Sequence, residues 1–184
     1  MEAVNYTGFY SLNNCVVYVE GGTIPSDWDS SWYSGIAQYR LNSQGGFSAD
    51  GNYYYEVIDG KLYLVRYLNT VAPKAPIIIP KKIDGKMVYG IRSYCFEGKQ
   101  SNSSSNRYIF VVPDTITVME SYAIYLYNYG YSYFYLEFAS ASDIPSTWSS
   151  GWAYGSYGYT SRSYLTRYYV DSWELIDNVP TVKS

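Results

Sequence analysis

This chain repeats itself at two different spacings, and few folds accommodate both. The string VYVEGGTIPSDWDSSW returns as YLEFASASDIPSTWSSGW; the shared core IPSxWxSxW places Trp148 120 residues after Trp28. Between the copies, IIIPKKIDGKMVYGIRSYCF matches FVVPDTITVMESYAIY, and Pro113 follows Pro80 by 33 residues. A period of that size marks supersecondary units that bury an apolar face only by stacking on their neighbours. The expected core is therefore a column shared by consecutive units.

Local pattern points to strands. Alternating apolar and polar positions predict them over 15–20, 53–58, 61–67, 76–79, 108–112 and 133–138, while helix signals are scarce. In YEVIDGKLYLVRY, Asp59 and Gly60 separate two alternating runs, the sequence form of a tight type I′ hairpin. The stretch KQSNSSSNR at 99–107 cannot bury enough apolar area to offset its ordering and reads as a mobile surface loop. At 184 residues, one domain over 1–184 is expected. Its parts are a partial repeat at 1–36 ending in IPSDWDSSW, a hairpin at 50–68, and two repeat units at 76–125. The second tryptophan copy follows at 133–154, then a C-terminal cap or tail at 160–184.

The order of these motifs resembles the BspA-like leucine-rich repeats. The match is carried by Ile79-Pro80, Ile83, Ile91 and Cys95-Phe96, then by Val112-Pro113, Ile116, Met119 and Ala123-Ile124. The strand DGNYYYEVIDGKLYLVRY that leads into the first unit, and the PSxWxSxW string that follows the second, are similar to that family as well. Cys95 and Ile124 stand where the family has Ala and Phe. The resemblance implies a mainly β, leucine-rich-repeat-like solenoid of short stacked strands with irregular turns and one β-hairpin. It also implies a bacterial surface protein that works by adhesion or protein binding. NYTGFYSLNNCVVYVEGG reads as the closing half of a repeat, so self-association through an uncapped first turn near Tyr6 to Val19 is expected.

Catalytic chemistry finds little footing. The chain has no histidine, which removes the commonest general base and every Ser-His or Cys-His nucleophile. Two cysteines, Cys15 and Cys95, are too few for a structural zinc, and each sits in an apolar string, as buried thiols or one disulfide would. Asp27 and Asp29 lack the following ligands of a calcium loop, and the pairs Gly21-Gly22 and Gly45-Gly46 open no phosphate loop. A paired-carboxylate glycosidase is the one enzymatic chemistry that needs none of these. No catalytic residue, metal or cofactor is assigned. A net charge of −3 offers no field for a phosphate backbone, so nucleic acid is not an expected partner.

Binding is the better expectation, because 26 tyrosines carry hydroxyls that need water or a partner. Tyr125, Tyr127, Tyr129, Tyr131, Tyr133 and Tyr135 alternate, which on one extended strand would aim every ring to one side. Asn128 and Gly130 offer the contrary reading, a turn that sends the rings apart. Serine, glycine and asparagine surround them, the mixture of adaptable paratopes. Trp28, Trp32, Trp148 and Trp152 could stack on a sugar, although their duplication argues that each pair packs its own turn. A protein ligand is expected first and a glycan second, with an intracellular inhibitor or decoy of a bacterium or phage as a third class. With no apolar run of membrane-spanning length, no insertion is expected. The location would be the cell surface if this is a piece of a longer protein, and the cytoplasm if it is whole.

Overall fold

Short β-branched and aromatic runs separated by turn residues give short strands, and the computed structural model is mainly β in several small, open sheets. It describes residues 16–20, 26, 38–42, 45–69, 71, 76–99, 107–127, 131–155 and 165–183. The chain divides into two compact units, Met1–Gly45 and Gly46–Ser184. In the first, β1 (Val16–Glu20) and β2 (Gln38–Asn42) pair in parallel.

Strand β3 (Gly45–Phe47) begins at the boundary residue, and the second unit goes on with β4 (Tyr53–Ile58), β5 (Lys61–Tyr67), β6 (Pro76–Ile78), β7 (Lys82–Ile83) and β8 (Lys86–Ile91). It continues through β9 (Phe96–Lys99), β10 (Arg107–Val112), β11 (Val118–Met119), β12 (Ile124–Tyr127) and β13 (Tyr131–Leu136). After a 3-10 turn at Ala141–Asp143 come β14 (Ala153–Gly155), β15 (Leu165–Tyr169), β16 (Trp173–Ile176) and β17 (Val179–Val182).

Three parallel ladders organise these strands. One runs β5-β8-β11 and is extended by a bridge from Met119 to Trp148, the second runs β9-β12-β14, and the third runs β6-β10-β13-β15. From β6 onward the chain visits the third, first and second ladders in that order three times, then returns to the third at β15. Each visit places one residue above its equivalent. Leu64, Ile91, Met119 and Trp148 share one column, and Phe96, Ile124 and Ala153 another. Ile79, Ile91, Val112 and Ile116 all lie in a single buried cluster. Each such aliphatic contributes roughly 1.5–3 kcal/mol by burial. An aromatic chain runs through this cluster from Phe96 to Phe110 (5.7 Å), Phe134 (5.6 Å), Trp152 (4.7 Å) and Trp148 (5.3 Å between centroids at each step).

The expectation of one β-hairpin needs correction. Beside the Asp59-Gly60 hairpin of β4 and β5, the chain makes antiparallel turns at Asp84-Gly85 between β7 and β8 and at Asp177-Asn178 between β16 and β17. All six turn residues take positive φ, between 49° and 79°, as the type I′ geometry demands. The 33-residue offset of the two prolines holds in the third ladder, where Phe110 pairs with Ile77 and Val111 with Ile78, whereas in the first ladder Met119 follows Ile91 by 28 in direct register. The loop predicted at 99–107 falls in the interval that separates the two prolines, and 100–106 lie outside the described residues.

Candidate functional site

Three turns with a common closing bond carry the chain from the first ladder to the second, at 92–96, 120–124 and 149–153, and of their central residues Tyr94 and Tyr122 are left-handed while Gly151 is not. In the closing bond Cys95 N–H donates to Arg92 O (3.2 Å), Ala123 to Glu120 O (3.2 Å), and Trp152 to Ser149 O (3.1 Å). Tyr94 and Tyr122 occupy the same place in consecutive turns, and each has φ 59°. A left-handed tyrosine costs on the order of 1–3 kcal/mol and persists only where its surroundings hold it. Hydrogen bonds between turns do so, with Tyr94 N–H donating to Tyr122 O and Tyr122 N–H to Gly151 O, both at 2.8 Å.

This backbone displays a cluster of rings. Tyr94 stacks on Tyr122 at 5.7 Å, and Tyr125 stacks on Tyr154 at 5.4 Å with planes 10° apart. Edge-to-face contacts join the pairs, from Tyr94 to Tyr125 (5.3 Å), Tyr122 to Tyr125 (5.8 Å) and Tyr122 to Tyr154 (5.6 Å). All four rings are only partly covered, and Tyr122 is 39% exposed. Ion pairs brace the rim: Arg92 meets Glu120 at 2.7 Å, and Arg66 meets Glu97 at 2.9 Å while donating to Tyr94 O. Glu120 also accepts from the Ser93 backbone N–H at 2.8 Å. At the third turn the ring is missing. Gly151 stands there, and among the described residues a Cβ would meet only Ser149 Oγ at 3.9 Å. Ser149 and Ser121 share a hydrogen bond of 2.7 Å at this end of the cluster.

A second aromatic face lies on the outer side of the third ladder. Tyr135 stacks on Tyr168 at 4.9 Å, Tyr133 on Tyr168 at 6.5 Å, and the Arg107 guanidinium stands 5.9 Å over the Tyr133 ring. This face is closed. Trp173 from β16 packs edge-on against Tyr135 at 5.4 Å, and its Nε1–H donates to Leu136 O at 3.2 Å. Burial pushes the Tyr135 phenol above its ordinary value, with the nearby Tyr168 and Tyr133 adding to the rise.

The alternating tyrosines therefore do not form one face. Strand β12 ends at Tyr127 and β13 begins at Tyr131, in different ladders, so Tyr125 joins the open cluster while Tyr133 and Tyr135 join the closed one. Tyr131 is 40% exposed, and Tyr129, Trp28 and Trp32 lie outside the described residues, as does the Tyr127 side chain. Trp148, a candidate sugar contact, is a core residue. Its Nε1–H donates to Ile116 O at 3.0 Å, and its ring meets Phe138 and Trp152. Cys95 is fully buried, and Cys15 lies outside the described residues. Tyr94 and Tyr122 were not legible as site residues, although the recurring Ser-Tyr at 93–94 and 121–122 is a signal that marks them.

Among the described residues no three His, Cys, Asp or Glu side chains converge on a metal position, and no helix is long and apolar enough to cross a membrane. No family model, no curated protein and no solved structure matches the chain.

Proposed function

We propose that this chain is a binding module of the BspA-like leucine-rich-repeat kind, a solenoid of stacked turns whose tyrosine cluster contacts a protein ligand without catalysis. The observation that carries the reading is the pair Tyr94 and Tyr122, held left-handed at the same place in successive turns with their rings outward. Backbone strain that recurs at an exposed position, where a glycine would relieve it, points to a function for the side chain. Tyrosine provides large contact area at little cost in conformational entropy, which suits a protein interface. The three-ladder order and the stacking of Ile79-Pro80 beside Val112-Pro113 support the solenoid. The role is adhesion at a bacterial surface.

One observation favours a glycan as the second reading. The Gly151 gap lies beside the Ser121 and Ser149 hydroxyls and the partly exposed Tyr122 ring, an arrangement that would seat a pyranose by stacking and hydrogen bonding. Immobilised protein probed with peptide and glycan libraries separates the two. Peptide binding weakened at least about tenfold by Tyr122→Ala, a loss of about 1.4 kcal/mol, supports the protein reading. Glycan binding lost in the same variant selects the second, and binding unaffected by Tyr122→Ala and Tyr154→Ala overturns both.

A further inference from the structure

The hairpin of β16 and β17 is a second copy of the hairpin of β4 and β5. Glu56, Ile58 and Asp59 recur as Glu174, Ile176 and Asp177, each 118 residues on, with Trp173 for Tyr55, Leu175 for Val57 and Asn178 for Gly60. The pairing recurs as well: Glu56 opposite Tyr63, Val57 opposite Leu62 and Ile58 opposite Lys61 become Glu174 opposite Thr181, Leu175 opposite Pro180 and Ile176 opposite Val179. What precedes each hairpin matches too. The parallel pair β1 and β2 flanks IPSDWDSSW, and the parallel pair β13 and β15 flanks IPSTWSSGW.

The two hairpins differ in what covers them. The outer edge of β5 is taken in parallel by β8, with Leu62 beside Val88, Leu64 beside Ile91, and Arg92 N–H donating to Leu64 O at 2.8 Å. Leu64 is fully buried as a result. Among the described residues β17 pairs only with β16, and Val182, at the place of Leu64, is 45% exposed. Leu175, Ile176 and Val179 are exposed with it. A patch of this kind on an open strand edge is a docking surface or an aggregation hazard.

We infer that β17 is an acceptor edge for a further repeat unit of this chain's own type, which would add in parallel a strand with the chemistry of β8 and open another stack. The occupant is specified by the copy already seated on β5: an extended strand presenting aliphatic residues at the places of Val88 and Ile91. Pro180 replaces Leu62 and lacks an N–H, and its position is where the β5–β8 ladder shifts register, between Leu62 and Tyr63, so proline is tolerated there. Thr181 replaces Tyr63, so the incoming strand need not carry the glycine that Gly90 supplies, where a Cβ would stand 2.7 Å from the Tyr63 ring. This proposal rests on the stacked-turn reading given above.

The test extends the full chain after Ser184 with a second copy of 67–127, which continues the 118-residue offset in frame, and follows amide hydrogen exchange. The expected result is that the Val182 amide and its β17 neighbours slow at least about tenfold relative to the unextended protein, equivalent to about 1.4 kcal/mol, and that Val182→Asp in the extended chain abolishes the slowing. Unchanged exchange at β17 overturns the proposal. So does slow exchange in the unextended protein accompanied by a dimer in sedimentation, because a second copy then holds the edge. Protection at Ile91 and Met119 in the same experiment reports separately on the stack itself.

Discussion

Tyr125 and Tyr135 belong to one alternating run, yet one lies in a cluster open to solvent and the other is stacked beneath Trp173. Both stand on the outer side of a parallel ladder, and both stack on the tyrosine one turn further on, Tyr154 and Tyr168. The difference is supplied by what the chain does afterwards. At β16 it folds a hairpin back over the third ladder, which turns that aromatic face into a small second core of Val111, Tyr135 and Trp173. The second ladder receives no such cover from the described residues. Tyrosine density thus does not by itself mark a contact surface; the segment packed over a ring, as Trp173 is over Tyr135, decides its exposure.

The floor common to both faces should be the costliest place to break. Replacing Trp148 with alanine removes a buried indole from the Leu64–Ile91–Met119 column and leaves Ile116 O without its donor, which should cost about 3–5 kcal/mol in denaturant unfolding. Gly90→Ala should cost about 1–3 kcal/mol, because the new methyl meets the Tyr63 ring and Val118. On the closed face alone, Trp173→Phe keeps a ring over Tyr135 but loses the bond to Leu136 O, and should cost about 0.5–1.5 kcal/mol. On the open face, Tyr122→Gly surrenders ring contacts worth about 0.5–1.5 kcal/mol each while relieving left-handed strain of similar size. Its midpoint of unfolding should move little, and its ligand affinity should fall; a large loss of stability instead would make the cluster structural.

The smallest effect is one of pH. Burial pushes the Tyr53 phenol far above its ordinary value, with Cys95 and Tyr67 adding to the rise. The folded state therefore keeps this proton where the unfolded chain releases it. Stability from this group is complete below the unfolded value of about 10 and declines as pH rises beyond it. Tyr53→Phe should flatten the decline of melting temperature between about pH 9 and 11 relative to the parent chain, and an unchanged slope would contradict the assignment.

Much of the inner architecture was legible in the sequence. Period-2 runs located β4, β5 and β10, Asp59-Gly60 located the hairpin of β4 and β5, and the aliphatic-proline pairs fall at the ends of the neighbouring strands β6 and β10. The third pass through the ladders was hidden because its side chains differ: Trp148 takes the column position of Ile91 and Met119, and Trp152 the turn position of Cys95 and Ala123. Large aromatics at those places disguise a turn whose hydrogen bonds are the same. The short strands β7, β9, β11 and β14 carry too few residues to show alternation, and ladder pairing alone defines them. The open cluster was legible only in part. Tyr125 belongs to a visible run, whereas Tyr94 and Tyr122 owe their display to a left-handed backbone that composition does not encode.

In the stack, residues about 28 apart lie in direct register along one buried column. Methyl and ring proton distances from nuclear Overhauser effects measure this most directly, at Met119. Cross-peaks from its Cε methyl to the Ile91 side chain on one side and the Trp148 indole on the other are the predicted result. Their absence, with Met119 instead near residues of its own turn alone, would contradict the stack and with it both surfaces built upon it.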